Sequence, residues 1–151
     1  MNKNIKNFVD TDIFRSSVKL FNSVFLRVKN NEIDGKKTIG YGLLNNIYKC
    51  GEHAKLSYVN NKNNKKMKLK DMLMAKRYIM KAEFDLNIIV SCGLFQGSKK
   101  SNEDENVYIN GGAEISMYLG ELVMQLDNFI GSLEKGFTTE ELDEIYSSID
   151  I

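Results

Sequence analysis

Four stretches of this chain carry apolar residues at alternating spacings of three and four, a rhythm that fits packed α-helices and little else. A helix turns once every ~3.6 residues, so such a series stays on one side and forms a seam that must be covered. The first stretch, about Asp12 to Asn30, sets Phe14, Val18, Phe21, Phe25 and Val28 on its seam. Asp10, Thr11 and Asp12 supply an N-cap and negative charge where the helix dipole is positive. The second, about Lys37 to Val59, has Ile39, Leu43, Ile47, Cys50, Ala54 and Tyr58. It is the weakest, because Gly40, Gly42 and Gly51 each cost about 1 kcal/mol against alanine inside a helix. The third, about Lys66 to Gly93, has Met72, Ala75, Ile79, Ala82, Leu86 and Ile89, with Gly93 as its stop. The fourth carries Ile115, Leu119, Leu122, Leu126, Phe129 and Leu133; Gly111-Gly112 could open it, or Glu103 to Asn110 could extend it upstream.

Polar runs separate these stretches: Asn30 to Gly35, Asn60 to Asn64, and Gln96 to Asn102. Thr138 and Glu141 then make a capping box, opening a short acidic helix that would bury Leu142, Ile145 and Ile149. The predicted fold is all-α: an up-and-down antiparallel four-helix bundle over residues 1–137, followed by an acidic helix or tail over 138–151. The 151 residues suffice for one core and not for two, and the complete lack of proline removes the commonest helix breaker. No internal repeat or flexible linker is visible.

Composition narrows the setting. The longest apolar runs fall far short of the ~18 residues that span a membrane, and Met1 to Lys6 lead into no apolar signal core. Two cysteines, Cys50 and Cys92, make no disulfide framework, and both sit in apolar helical patterns as buried free thiols. A reducing, cytoplasmic location is the expectation.

Catalytic constellations are sparse. His53 is the only histidine, so clusters of metal-binding histidines are excluded, and two cysteines with one histidine cannot build a four-ligand zinc site unaided. Cys50 and His53 stand at i, i+3, which could bring a thiol near an imidazole; most such pairs are incidental. Small helical ribonucleases of the HEPN type carry an arginine four to six residues before their histidine, and Asn46 to Glu52 contain none. Gly40-Tyr41-Gly42 lacks the third glycine of a dinucleotide fingerprint, and there is no phosphate-binding Gly-Lys-Ser/Thr loop. Neither an enzymatic activity nor a cofactor nor a metal is expected.

Charge is more informative. Residues 1–100 hold 20 Lys and Arg against 8 Asp and Glu, whereas residues 101–151 hold 1 against 12. The net charge of +1 therefore conceals two halves of opposite sign. Such a division suits an anionic partner for one surface and a cationic partner for the other, or else neutralisation between packed helices. On the third helix Lys66, Lys70, Arg77 and Lys81 fall within about 60° of one another, nearly opposite its seam, and Lys62, Lys65 and Lys68 add charge at its start. A cationic row of this kind can position a nucleic-acid backbone through its phosphates without reading bases; it can equally be a solvated helix face. Lys62, Lys65, Lys66, Lys70, Arg77 and Lys81 are the candidate nucleic-acid contacts. Leu69, Leu73 and Met80 form an apolar stripe beside that row and are the candidate oligomer interface, unless the helix is central and buried on two sides. Glu140, Glu141, Asp143 and Glu144 are the candidate contacts for a basic protein partner.

The segment Ala82-Glu83-Phe84-Asp85-Leu86-Asn87-Ile88-Ile89-Val90, followed after a loop by Ala113-Glu114-Ile115-Ser116-Met117-Tyr118-Leu119-Gly120-Glu121-Leu122, resembles the last two helices of the accessory variability determinant family. These are four-helix proteins of diversity-generating retroelements, related to proteins encoded in ribosomal RNA intervening sequences. Helix order and approximate length agree over about residues 12–135, and Glu114-Ile115 and Leu119-Gly120 carry the motif of the fourth helix. The family's closing tryptophan is missing, with Val123 or Met124 near its place, and residues 138–151 lie outside the family pattern. The resemblance implies a homo-oligomeric, pentameric barrel that binds a reverse transcriptase and its template RNA through basic surface. The expected function is thus that of an oligomeric, RNA-binding accessory protein; the alternative is a phage- or mobile-element-encoded inhibitor or small subunit acting through the acidic segment.

Overall fold

The computed structural model describes residues 7–34, 36–59, 64–94 and 104–149, the side chains of residues 36 and 104–111 excepted. It is all-helical: 88% of the described residues lie in helices. The five α-helices are α1 (Asp12–Lys29), α2 (Tyr41–Val59), α3 (Lys65–Ser91), α4 (Asp104–Glu134) and α5 (Thr139–Ile149). A 3-10 turn, Phe8–Asp10, precedes α1, and a wider π-helical stretch, Lys36–Gly40, leads into α2.

Local chemistry fixes the helix ends. Thr11 Oγ1 accepts the amide hydrogen of Phe14 at 3.2 Å and Asn64 Oδ1 that of Met67 at 3.1 Å, so α1 and α3 each begin on a side-chain cap. The capping box of α5 is formed in both directions: the amide of Glu141 donates to Thr138 Oγ1 at 3.1 Å, and the amide of Thr138 donates to Glu141 Oε1 at 2.9 Å. At the other end of α3, Gly93 takes a φ of +64°, which lets the Leu94 amide reach back to the Ile89 carbonyl at 2.9 Å. Asn31 makes the same kind of left-handed exit from α1, at a φ of 58°.

Helix α1 packs on α2 and α4, and α3 packs on α2, α4 and α5. Bond partners show the directions. Ser16 and Ser23 of α1 bond to Glu121 and Glu114 of α4, the numbers rising on one helix while they fall on the other. The pairs Asn46–Asp85 and Ser57–Lys68 do the same for α2 and α3, and Lys68–Phe129 and Lys76–Asp127 for α3 and α4. These three neighbours are antiparallel. By the same test α5 runs parallel to α3, because Lys66 meets Glu144 and Arg77 meets Ile149.

The seams of α2, α3 and α4 are the core: Leu43, Ile47, Cys50 and Ala54 meet Met72, Ala75, Ile79, Ala82, Leu86 and Ile89, with Ile115, Leu119, Leu122 and Leu126 from α4. The seam expected for α1 is corrected. Val18 and Phe25 are exposed and Phe14 and Phe21 only partly covered, while Ile13, Leu20, Val24 and Val28 are buried together with Ser16, Ser17 and Ser23. Ser16 and Ser23 bond to glutamates of α4 and Ser17 to the Ile13 carbonyl of its own helix, and the polarity of these serines hides the buried face in a hydropathy pattern. On α4, Ile130 is buried where Phe129 and Leu133 are only partly so. Cys92 is exposed rather than buried, because it stands at the C-cap of α3, past the last covered turn. Leu69 is 0% exposed and belongs to the core, so it is not part of an outer stripe. Helix α3 is central, covered by α2 on one side and by α4 and α5 on others. Ile145 of α5 is 1% exposed and joins the same core, with Leu142 and Ile149 packed against it, so α5 shares the bundle's interior rather than standing apart.

Candidate nucleic-acid interface

The division of charge between the two parts of the sequence becomes, in three dimensions, a set of interhelical ion pairs. Lys19 of α1 lies 4.0 Å from Glu121 of α4, and Arg27 lies 3.9 Å from Glu114. Lys76 of α3 pairs with Asp127 of α4, and Lys66 pairs with Glu144 of α5 at 3.4 Å. Each pair joins a cation from residues 1–100 to an anion from residues 101–151. Arg77, a further member of the cationic row, donates through one guanidinium nitrogen to the Ile149 carbonyl at 2.8 Å, satisfying a backbone acceptor at the end of α5.

Helix α5 therefore lies along the row from Lys66 to Arg77. Between it, α3 and α4 runs a groove of about 830 Å³, whose walls include Leu73, Lys76, Arg77, Asp127, Glu134 and Tyr146. The hydroxyl of Tyr146 donates to Glu134 across this groove; burial and that carboxylate raise its pKa to about 12, so it stays a donor. The mixed charge of the walls gives the groove no preference for an anion.

Beyond Ile149 the same face of α3 emerges. Arg77, Met80, Lys81 and Phe84 stand at i, i+3, i+4 and i+7, one line along the helix. Met80 is 43% and Phe84 64% exposed. Lys81 Nζ sits 4.9 Å from the centre of the Tyr78 ring, which holds it at the flank of this line. These side chains, with Asn46 and Asp85, border a second, shallow groove of about 550 Å³, and Asn46 Nδ2 donates to Asp85 Oδ2 at 2.7 Å along its edge.

The sequence candidates thus divide. Lys65 and Lys81 are exposed and Lys70 half-buried, and none of the three enters the ion pairs above. Lys66 and Arg77 are engaged by α5, Lys68 lies over the Phe129 ring at 5.7 Å, and Lys62 falls outside the described residues. Of the apolar stripe, Leu73 is half-buried at the α5 groove and Met80 open. Of the acidic set, Glu144 pairs with Lys66 and Glu141 caps α5, leaving Glu140 and Asp143 exposed. Sequence reasoning passed over Phe84 and the Asn46–Asp85 pair. Phe84 was findable, being an aromatic off the seam and three residues from a lysine of the basic row.

The thiol and imidazole of α2 do not make a nucleophilic pair. Cys50 is fully buried, and desolvation pushes its thiol up to about 12, away from the reactive thiolate. His53 instead faces α3, stacked on the Tyr78 ring at 5.4 Å with Nδ1 3.5 Å from Asp71 Oδ1. Among the described residues no group of histidine, cysteine and carboxylate side chains could hold a metal ion, and no helix is long and apolar enough to cross a membrane. No protein family, characterised protein or solved structure matches the chain.

Proposed function

We propose that this chain is a non-catalytic accessory protein of the cytoplasm, an up-and-down four-helix bundle with a docked acidic fifth helix. It assembles as a homo-oligomer and binds RNA together with a protein partner such as a reverse transcriptase. The observation that carries the RNA reading is the outer face of α3, where exposed Lys81 continues the line of Lys66 and Arg77 past the end of α5 and half-buried Lys70 stands between them outside the ion pairs. Cations on one helix face, outside the interhelical pairs, are placed to neutralise phosphates without reading sequence. With Lys66 and Arg77 engaged by α5, the lysines we take as phosphate contacts are Lys70 and Lys81 on that face and Lys65 at the start of α3.

The test is RNA binding over a range of salt. Affinity should fall steeply as salt rises, because each neutralised phosphate releases counterions. Changing Lys65, Lys70 and Lys81 together to glutamine should weaken binding about equally for unrelated RNAs and flatten the salt slope. A second reading is favoured by Glu140 and Asp143, acidic and exposed on α5: an inhibitor or small subunit that meets a basic protein surface there. Absence of RNA affinity at low salt, or affinity indifferent to the three lysines, would decide for that reading.

A further inference from the structure

We infer that the open half of the α3 face is a seat for one unpaired nucleotide, with its base stacked on Phe84 and its phosphate against Lys81. The inference rests on the RNA-binding reading and names the part of the RNA that this face takes. Phe84 is the most exposed of the large hydrophobic side chains in the described residues, at 64%, and Met80 one turn before it widens the apolar platform. An aromatic ring in that position offers its face to a base, and every base has a π-face to stack. Lys81 is three residues from Phe84 and lines the same groove, with its ammonium over the Tyr78 ring at the flank of the platform. The groove of about 550 Å³ has room for a single nucleotide. Its edge carries the Asn46–Asp85 pair, with an amide and a carboxylate where hydrogen-bonding edges of a stacked base would reach. A paired base in a helix presents no free face, and the site therefore prefers single strands, loops and bulges.

The chain contains no tryptophan, so Phe84→Trp introduces a unique fluorophore at the proposed seat. The full chain would be titrated at low salt with a labelled short oligouridylate and, separately, with an RNA duplex of the same length. Phe84→Ala should lower single-strand affinity on the order of tenfold, within the usual range for losing one base–aromatic stack, and leave duplex affinity unchanged. Phe84→Trp should keep single-strand affinity, and its emission should be quenched by the oligouridylate and not by the duplex. Wild-type affinity in Phe84→Ala, with unquenched emission in Phe84→Trp, would overturn the stacking seat while the phosphate row stands. A wild-type chain that binds neither RNA would overturn both readings. Retained RNA affinity in Phe84→Ala with a smaller sedimenting species would assign this face to a second copy of the chain, and the seat would fall.

Discussion

Nζ of Lys66 on α3 lies 3.4 Å from Oε1 of Glu144 on α5, an ion pair that links the basic and acidic parts of the chain. Both side chains are largely solvated, and pairs of that kind contribute roughly 0–1 kcal/mol. Charge orients α5; burial of Ile145 anchors it, since covering an isoleucine side chain stabilises by about 1.5–3 kcal/mol. Ile145→Ala should therefore cost about 2–4 kcal/mol in urea unfolding, whereas Lys66→Gln or Glu144→Gln should each cost less than about 1 kcal/mol. Removing residues 138–151 should lower stability as well, contrary to a tail that stands apart. Equal, small effects for all of these changes would mean that α5 does not share the core.

The two thiols should differ sharply. Cys92 is exposed, while Cys50 is buried with its thiol pushed up to about 12. With a disulfide reagent at pH 8, one thiol per native chain should react promptly and the second only at the rate of unfolding. Prompt reaction of both would contradict the burial of Cys50.

What was legible in the sequence follows from which side chains hydropathy can see. At the end of α4, Ile130 takes the buried place expected of Phe129 and Leu133. The seam of α3, the middle of α2 from Leu43 to Ala54 and that of α4 from Ile115 to Leu126 are read correctly, because aliphatic side chains dominate them. The inner face of α1 is not, because Ser16, Ser17 and Ser23 are small and polar; only their bonds to Glu121, Ile13 and Glu114 make them suitable for burial. The basic row was visible as a row of like charges at helical spacing. Its partial cover by α5 was not, since parallel docking of α5 on α3 depends on Ile145 finding the core, a tertiary fact with no local signature.

Acid should loosen the start of α5 before the rest of the chain. Hydrogen bonds from the backbone amide of Thr138, and then its side chain, hold the Glu141 carboxyl below the ordinary carboxylate range. The folded pKa lies below the unfolded one, so the unfolded state binds more protons between them. The stabilisation is complete above about pH 5 and is lost as pH falls through the folded value. An NMR titration of the Thr138 amide should follow this carboxyl, and Glu141→Gln, which keeps a capping acceptor, should abolish the dependence.

Glycine-to-alanine changes should have opposite signs at two positions. At Gly93 the φ of +64° is strained for any side chain with a Cβ, so Gly93→Ala should cost about 1 kcal/mol or more. Gly120 is exposed within α4 with open space where a Cβ would go, so Gly120→Ala should stabilise by about 0.4–1 kcal/mol. Thermal midpoints that move the same way would contradict one of these backbone assignments.

The two serine–glutamate bonds between α1 and α4 act together as a vernier. Ser16 and Ser23 are one heptad apart, and so are their partners Glu121 and Glu114. An apolar seam tolerates sliding by a heptad, about 10 Å of helix, because leucines and valines pack against one another in several offsets. The polar pairs do not: such a slip restores a single serine–glutamate contact and leaves the other glutamate without its hydroxyl. Only one axial setting of α1 satisfies both, so these small polar residues distinguish the native alignment of the helices from its nearest rivals.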